Sequence, residues 1–230
     1  MGKADERVRQ EVKPPEVPIR HAATIILVRD AATNPAVLMG QRGASAAFMP
    51  DKFVFPGGAV DTLDGDIPIS VNPACAARLS QHSDMAPATL AAAAIRELWE
   101  ETGQKLARAA EWETPEPWSD FAQGGLQPDA SALRFFFRAI TPPGRPRRFD
   151  ARFFLADASA LRTDPDTFDP AEAELRHLHW VPISDVRALP LPFITRVVLA
   201  ELAQHLPRMD APDRVPFVRN DEIDRDVVWL

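Results

Sequence analysis

Three carboxylates fall close together in the run Arg96-Glu97-Leu98-Trp99-Glu100-Glu101-Thr102-Gly103. On a helix turning roughly 100° per residue, Glu97, Glu100 and Glu101 share an arc of about 100°. Like charges at that spacing repel, so the helix gains from collecting them only if something positive sits opposite. Hard oxygen ligands at this density suit Mg²⁺ or Mn²⁺. Ala91, Ile95, Leu98 and Trp99 form an apolar stripe on the other side. One face therefore docks on a core while the other presents acid.

The elements that must carry this face can be read along the chain. Ala22 to Val28 is apolar and β-branched, a buried strand, and Val37 to Arg42 is a second. Phe53-Val54-Phe55 is a short strand cut off by Pro56-Gly57-Gly58, where glycine permits positive φ and close backbone approach. Leu63 to Asn72 reads as loop and Pro73 to Gln81 as a short helix. Pro87 suits a first helical position, the Ala91–Ala94 run favours helix, and Gly103 ends it. Residues 107–128 are expected to hold a short helix or two with loops. Leu133 to Ile140, Phe149 to Ala156 and Leu175 to Val181 are strands, and Ile183 to Ala188 and Phe193 to His205 are helices. The tail from Asp210 is polar and ends in a short apolar run. The pattern gives an α/β fold.

R-E-L-W-E-E-T-G, together with the upstream F-P-G-G of Phe55 to Gly58, resembles the Nudix box, G-x5-E-x7-R-E-U-x-E-E-x-G-U, with U a bulky aliphatic residue. Two departures stand out. Between Gly58 and Arg96 lie 37 residues where that pattern has 13, so about 24 are inserted, and Gln104 occupies the aliphatic position after Gly103. Counting forward from Gly58 puts the early acid of the box at Asp64; counting back from Arg96 puts it at Ala88. An insert here, preceded by a segment like Gln41 to Pro50, is similar to the branch containing the peroxisomal coenzyme A diphosphatases.

The resemblance implies a Nudix α/β/α sandwich with a mixed sheet, extended by the insert at about residues 59–86 and a C-terminal helical extension at about 190–230. Residues 1–17 are expected to be a mobile arm and 18–230 one domain. It implies Mg²⁺- or Mn²⁺-dependent hydrolysis of a nucleoside diphosphate linked to another moiety, coenzyme A or acyl-coenzyme A by branch and ADP-ribose or NADH as alternatives. A non-catalytic nucleotide sensor is the rival from another class. Glu97, Glu100, Glu101 and the backbone carbonyl of Gly58 are the implied metal ligands, with Glu97 or Glu101 also placed to take a proton. Arg96 is counted with Glu97 and Glu101 in the catalytic set, where it is expected to pair with a neighbouring acid and orient the loop. A further acid from outside the box is Glu174, with Glu172 as competitor, and Arg42, Gly57 and Gly58 are candidate substrate contacts, Arg42 through phosphate.

Other residues carry blander readings. Arg134, Arg138, Arg147, Arg148 and Arg152 flank the middle strands, where alternation makes most of them solvent-facing. Trp112, Trp118, Phe135 and Phe137 read as core before they read as base-stacking groups. Cys75, the single cysteine, reads as a structural thiol. A net charge of −7 opposes non-specific binding to nucleic acid or anionic membranes. No stretch approaches the roughly 18 apolar residues of a membrane span. With no secretory signal, a cytoplasmic setting is expected, and the last 40 or so residues are a candidate homodimer element.

Overall fold

A computed structural model describes residues 17–44, 46, 49–169, 174–221 and 223–230. The expected arm, apart from Val17, and the candidate Glu172 lie outside the described residues. The strand β1 (Ile19–Arg29) runs through the middle of the sheet. It continues into β2 (Ala36–Arg42), β3 (Phe53–Val54) and β4 (Gly57–Ala59). A 3-10 turn (Thr62–Asp66), the helix α1 (Pro73–Leu79) and the helix α2 (Pro87–Thr102) follow. Then come β5 (Ala107–Ala109), β6 (Leu126–Pro128), β7 (Arg134–Ile140), β8 (Arg148–Asp157) and β9 (Leu175–Pro182). The helix α3 (Phe193–His205) and the strands β10 (Pro216–Val218) and β11 (Val227–Trp229) complete the chain.

The main sheet is ordered β11-β10-β7-β8-β1-β2-β3, with β4 added on β1 and β9 on β2. The β1–β8 and β7–β10 pairs are parallel and the rest antiparallel, so the sheet is mixed. Alternation along β1 sends Ala23, Ile25 and Leu27 into a core with Leu90, Ala91, Ile95 and Leu98 of α2. Ile26 and Val28 enter a second core with Val198, Leu199 and Leu202 of α3. A helix on each face makes the α/β/α sandwich.

The boundaries of α2 follow local chemistry. Pro87 fills the first position, where its missing N–H costs nothing. Gly103 takes φ 77° and donates its N–H to the carbonyl of Trp99, the left-handed stop that glycine adopts without strain.

Several expectations need correction. Residues 107–128 form the two-stranded ribbon β5–β6 around a 3-10 turn at Glu116–Trp118, because backbone pairing across the ribbon replaces helix. Ile183 to Ala188 keeps only a 3-10 turn at Val186–Ala188. The C-terminal extension is helical only through His205; beyond it β10 and β11 extend the sheet beside β7. The middle-strand arginines are not mostly solvent-facing, since Arg138, Arg148 and Arg152 are buried. Arg138 grips Asp150 at 2.8 and 2.7 Å and donates to the carbonyls of Gln81 and His82 in the insert. Arg152 bonds Ser83 and the carbonyl of Asp150. Buried arginines thus fasten the insert to the sheet, a role that strand alternation alone could not show.

Candidate active site

The acidic face of α2 lies against β4. Because β4 runs alongside β1, pairing Gly57 with Thr24 and Gly58 with Ala23, the glycine backbone is held at the sheet surface. A Cβ on Gly57 would stand 2.5 Å from the carbonyl oxygen of Ala23, and one on Gly58 would stand 2.4 Å from Oε2 of Glu97. Only glycines allow strand and carboxylate to approach this closely. The Gly57 N–H donates to Oε2 of Glu101 at 2.8 Å.

Arg96 ties the helix to the turn after β4. Its Nε donates to Oδ1 of Asp64 at 2.8 Å and its Nη2 to Oδ2 at 3.1 Å and to the carbonyl of Ala59 at 3.0 Å. Its Nη1 bridges Glu97 at 2.9 Å and Glu100 at 2.8 Å. Asp64 is fully buried and closes a capping box with Asp61, accepting the Asp61 N–H at 2.8 Å. Asp64, the acid that the forward count reaches, is the one that pairs with Arg96, and α1 lies between the two in sequence.

Electrostatics follow from this packing. Burial pushes the Glu97 carboxyl up to about 7, against the lowering pull of Arg96. Burial, then the charge of Glu97, hold Glu101 well above the usual carboxylate range even though the Gly57 N–H favours its ionised form. For Arg96, burial works against the charge, and the hydrogen bond to Asp64 and the charges of Glu97, Asp64 and Glu100 outweigh it to hold the pKa above its ordinary value.

The structure brings Arg96, Glu97, Glu100, Glu101, Gly57 and Gly58 into one patch. Arg42, at the end of β2, and Glu174, just before β9, form a neighbouring pair, Nη2 to Oε2 at 3.4 Å. Their charges reach the patch: Arg42 lowers the pKa of Glu101, and Glu174 raises those of Glu101 and Glu97. Nε of Arg42 is buried and without a hydrogen-bond partner. Trp118, Phe135 and Phe137 are core residues, and burial raises the thiol pKa of Cys75.

Glu97, Glu100 and Glu101 offer the hard oxygen donors that suit a divalent ion, on the helix face packed against β4. Glu97, half-buried, and Glu101, buried, both have raised pKa values, and a cation would bring them back to the ionised form. Among the described residues no three His, Cys, Asp or Glu side chains converge tightly enough to hold an ion by themselves; Glu97 and Glu100 both turn to Arg96.

Sequence reasoning missed the role of Gln104. Its amide is fully buried, donates to the carbonyls of Asp164 at 3.1 Å and Thr167 at 2.7 Å, and accepts from the Thr163 hydroxyl at 2.6 Å. Its presence at an aliphatic position was the available signal.

A mixed-sheet sandwich with an acidic helix face packed on a glycine strand sets the class of fold. The NUDIX domain family matches residues 19–202, and the chain belongs to the Nudix family. It is 32% identical over 176 residues to "Putative nudix hydrolase 7" of Caenorhabditis elegans, a match covering 70% of this chain and 51% of that protein. The chain thus spans about half the length of that relative. A crystal structure of a NUDIX hydrolase from Alicyclobacillus acidocaldarius superposes with a TM-score of 0.64 at 30% identity, covering 80% of this chain and 90% of the other. Among the described residues no helix is long and apolar enough to cross a membrane.

Proposed function

We propose that the protein hydrolyses a nucleoside diphosphate linked to another moiety, using Mg²⁺ or Mn²⁺ held on the acidic face of α2. The observation that carries this reading is the pair of carboxylates, half-buried Glu97 and buried Glu101, packed on Gly57-Gly58 and raised in pKa by desolvation. Divalent ions would be held by Glu97, Glu100, Glu101, the Gly58 carbonyl and Glu174, and would mask diphosphate charge and acidify a bound water.

In the reaction, water attacks one phosphorus, a new P–O bond forms, and the bridging P–O bond of the anhydride breaks. Either Glu97 or Glu101 takes the proton of the attacking water, since a carboxylate that a bound cation keeps ionised is the form that can accept it. Arg42 contributes to phosphate binding, because its buried, unpartnered Nε would be satisfied by a phosphoryl oxygen. Arg96 orients Glu97 and Glu100 and does not touch substrate, since its guanidinium is taken up by Asp64, Ala59 and those two acids.

Coenzyme A or acyl-coenzyme A is the favoured substrate. The insert between Asp64 and Arg96 and the segment leading into Phe55 to Gly58 support that choice through their resemblance to the coenzyme A branch. The test is product release from coenzyme A, acyl-coenzyme A, ADP-ribose and NADH with Mg²⁺ or Mn²⁺ against an EDTA control. Cleavage of coenzyme A compounds alone is expected. Cleavage of ADP-ribose or NADH instead would discard the substrate choice, and tight binding without turnover would replace the hydrolase by a sensor.

A further inference from the structure

The strands β2 and β9 do not pair evenly. Leu38 lies opposite Trp180 and Met39 opposite His179, but Gln41 lies opposite Arg176 and Arg42 opposite Leu175. Gly40 alone therefore faces both His177 and Leu178, a β-bulge with its extra residue in β9. His177 adopts φ 51°, its side chain is exposed, and its carbonyl accepts from Nδ1 of His179 at 2.7 Å. Gly40 makes the room: a Cβ there would stand 2.8 Å from Cβ of Leu175 and 2.9 Å from Cδ2 of Leu178. Had the pairing run on evenly from Leu38 and Trp180, Arg42 would face Arg176. Like charges directly opposite repel across a ladder, and the one-residue slip would turn buried Leu175 to the other face.

We infer that this bulge is a positioning device for Arg42, one that gives its guanidinium the Glu174 carboxylate as neighbour in place of Arg176. The inference deepens the proposed function and rests on Arg42 as a phosphate contact. With Leu175 opposite Arg42, the Glu174 carboxylate stands one residue away and accepts from Nη2 at 3.4 Å. That contact turns the guanidinium inward, where Nε is buried and open to a phosphoryl oxygen. In the even register, repulsion from Arg176 would swing it toward solvent. His177 acts through its backbone and touches no substrate. Histidine is among the few residues other than glycine that enter the left-handed region with any frequency; a β-branched residue does so only under strain.

The test uses inorganic pyrophosphate as the probe, with its binding to the full chain measured by calorimetry in saturating Mg²⁺. Gly40→Ala/His177→Val penalises the bulge on both strands yet suits an even ladder. It is expected to weaken binding about tenfold, the scale of a charge-assisted hydrogen bond. Adding Arg176→Glu to that pair puts an acid opposite Arg42 again. Most of the loss is then expected to be recovered, which a general loosening of the sheet would not allow. In an Arg42→Ala background the same pair is expected to weaken binding no further. His177→Gly keeps the left-handed backbone and is expected to bind as wild type. His177→Val alone stands in if the pair does not fold, with a loss in the same direction. Unchanged affinity in the bulge variants, an equal loss with and without Arg42, or no recovery by Arg176→Glu would overturn the inference. Wild-type affinity in Arg42→Ala, or no pyrophosphate binding by the wild type, would instead remove the phosphate contact on which it stands.

Discussion

Asp64→Asn isolates the charge of one buried acid without changing its shape. Both Asp64 oxygens are acceptors: Oδ1 receives the Arg96 Nε–H at 2.8 Å, and Oδ2 receives the Arg96 Nη2 group at 3.1 Å and the Asp61 N–H at 2.8 Å. An amide must turn its NH₂ towards one of these donors, so either orientation sets donor against donor. Breaking one side of a buried ion pair costs about 3–5 kcal/mol, and the lower end applies because Arg96 keeps Glu97, Glu100 and the Ala59 carbonyl. In a chain of this length each kcal/mol moves the melting midpoint by about 2–4 °C, so Asp64→Asn should melt about 6–12 °C lower than wild type. Urea unfolding followed by tryptophan fluorescence gives the free energy directly, with Trp99 reporting from α2 itself. A loss under about 1 kcal/mol would refute the claim that Asp64 is the buried anchor of Arg96.

Three further perturbations probe other joints of the structure. Arg138→Met removes the bonds to Gln81, His82 and Asp150 and should expose the insert to limited proteolysis around residues 81–86; a wild-type digestion pattern would contradict the anchoring role. Gly58→Ala places a methyl 2.4 Å from Glu97 and should abolish most turnover while the sheet remains folded, as judged by circular dichroism; full activity would show that Glu97 need not abut the backbone. Glu97 has a folded pKa of about 7 against 4.5 in the unfolded chain, so the folded state holds its proton more tightly. Its contribution is fully present below pH 4.5 and is lost as pH rises to about 7, a change of about 3 kcal/mol in metal-free protein. Relative to wild type, metal-free Glu97→Gln should therefore be more stable at pH 8 than it is at pH 4, and an equal difference at both pH values would sink that reading.

Much of the site was legible because it is local. The spacing of Glu97, Glu100 and Glu101, the opening Pro87 and the closing Gly103 are set within one helix, and the structure places that helix at Pro87–Thr102. The central strands were legible for the same reason, since period-2 patterning is a short-range signal. What depended on distant partners was not. The strands β5 and β6 exist because residues 107–109 find 126–128, and β10 exists because Phe217 meets Arg138. Arg138 and Arg152 look like solvent-facing strand residues until the insert folds over them and supplies Gln81, His82 and Ser83 as partners. That Arg96 pairs with Asp64, 32 residues earlier, is likewise a long-range contact that spacing alone does not show.

The most direct test of the central claim, that the acid face of α2 on Gly57-Gly58 is a metal-dependent hydrolytic centre, is turnover by Glu101→Gln. It is measured with Mg²⁺ or Mn²⁺ on whichever diphosphate compound the wild type cleaves, alongside a circular dichroism spectrum. A wild-type spectrum with activity reduced by two or more orders of magnitude is predicted, about the scale on which a lost acid–base or charge-stabilising group acts. Wild-type turnover by the folded variant would contradict the account.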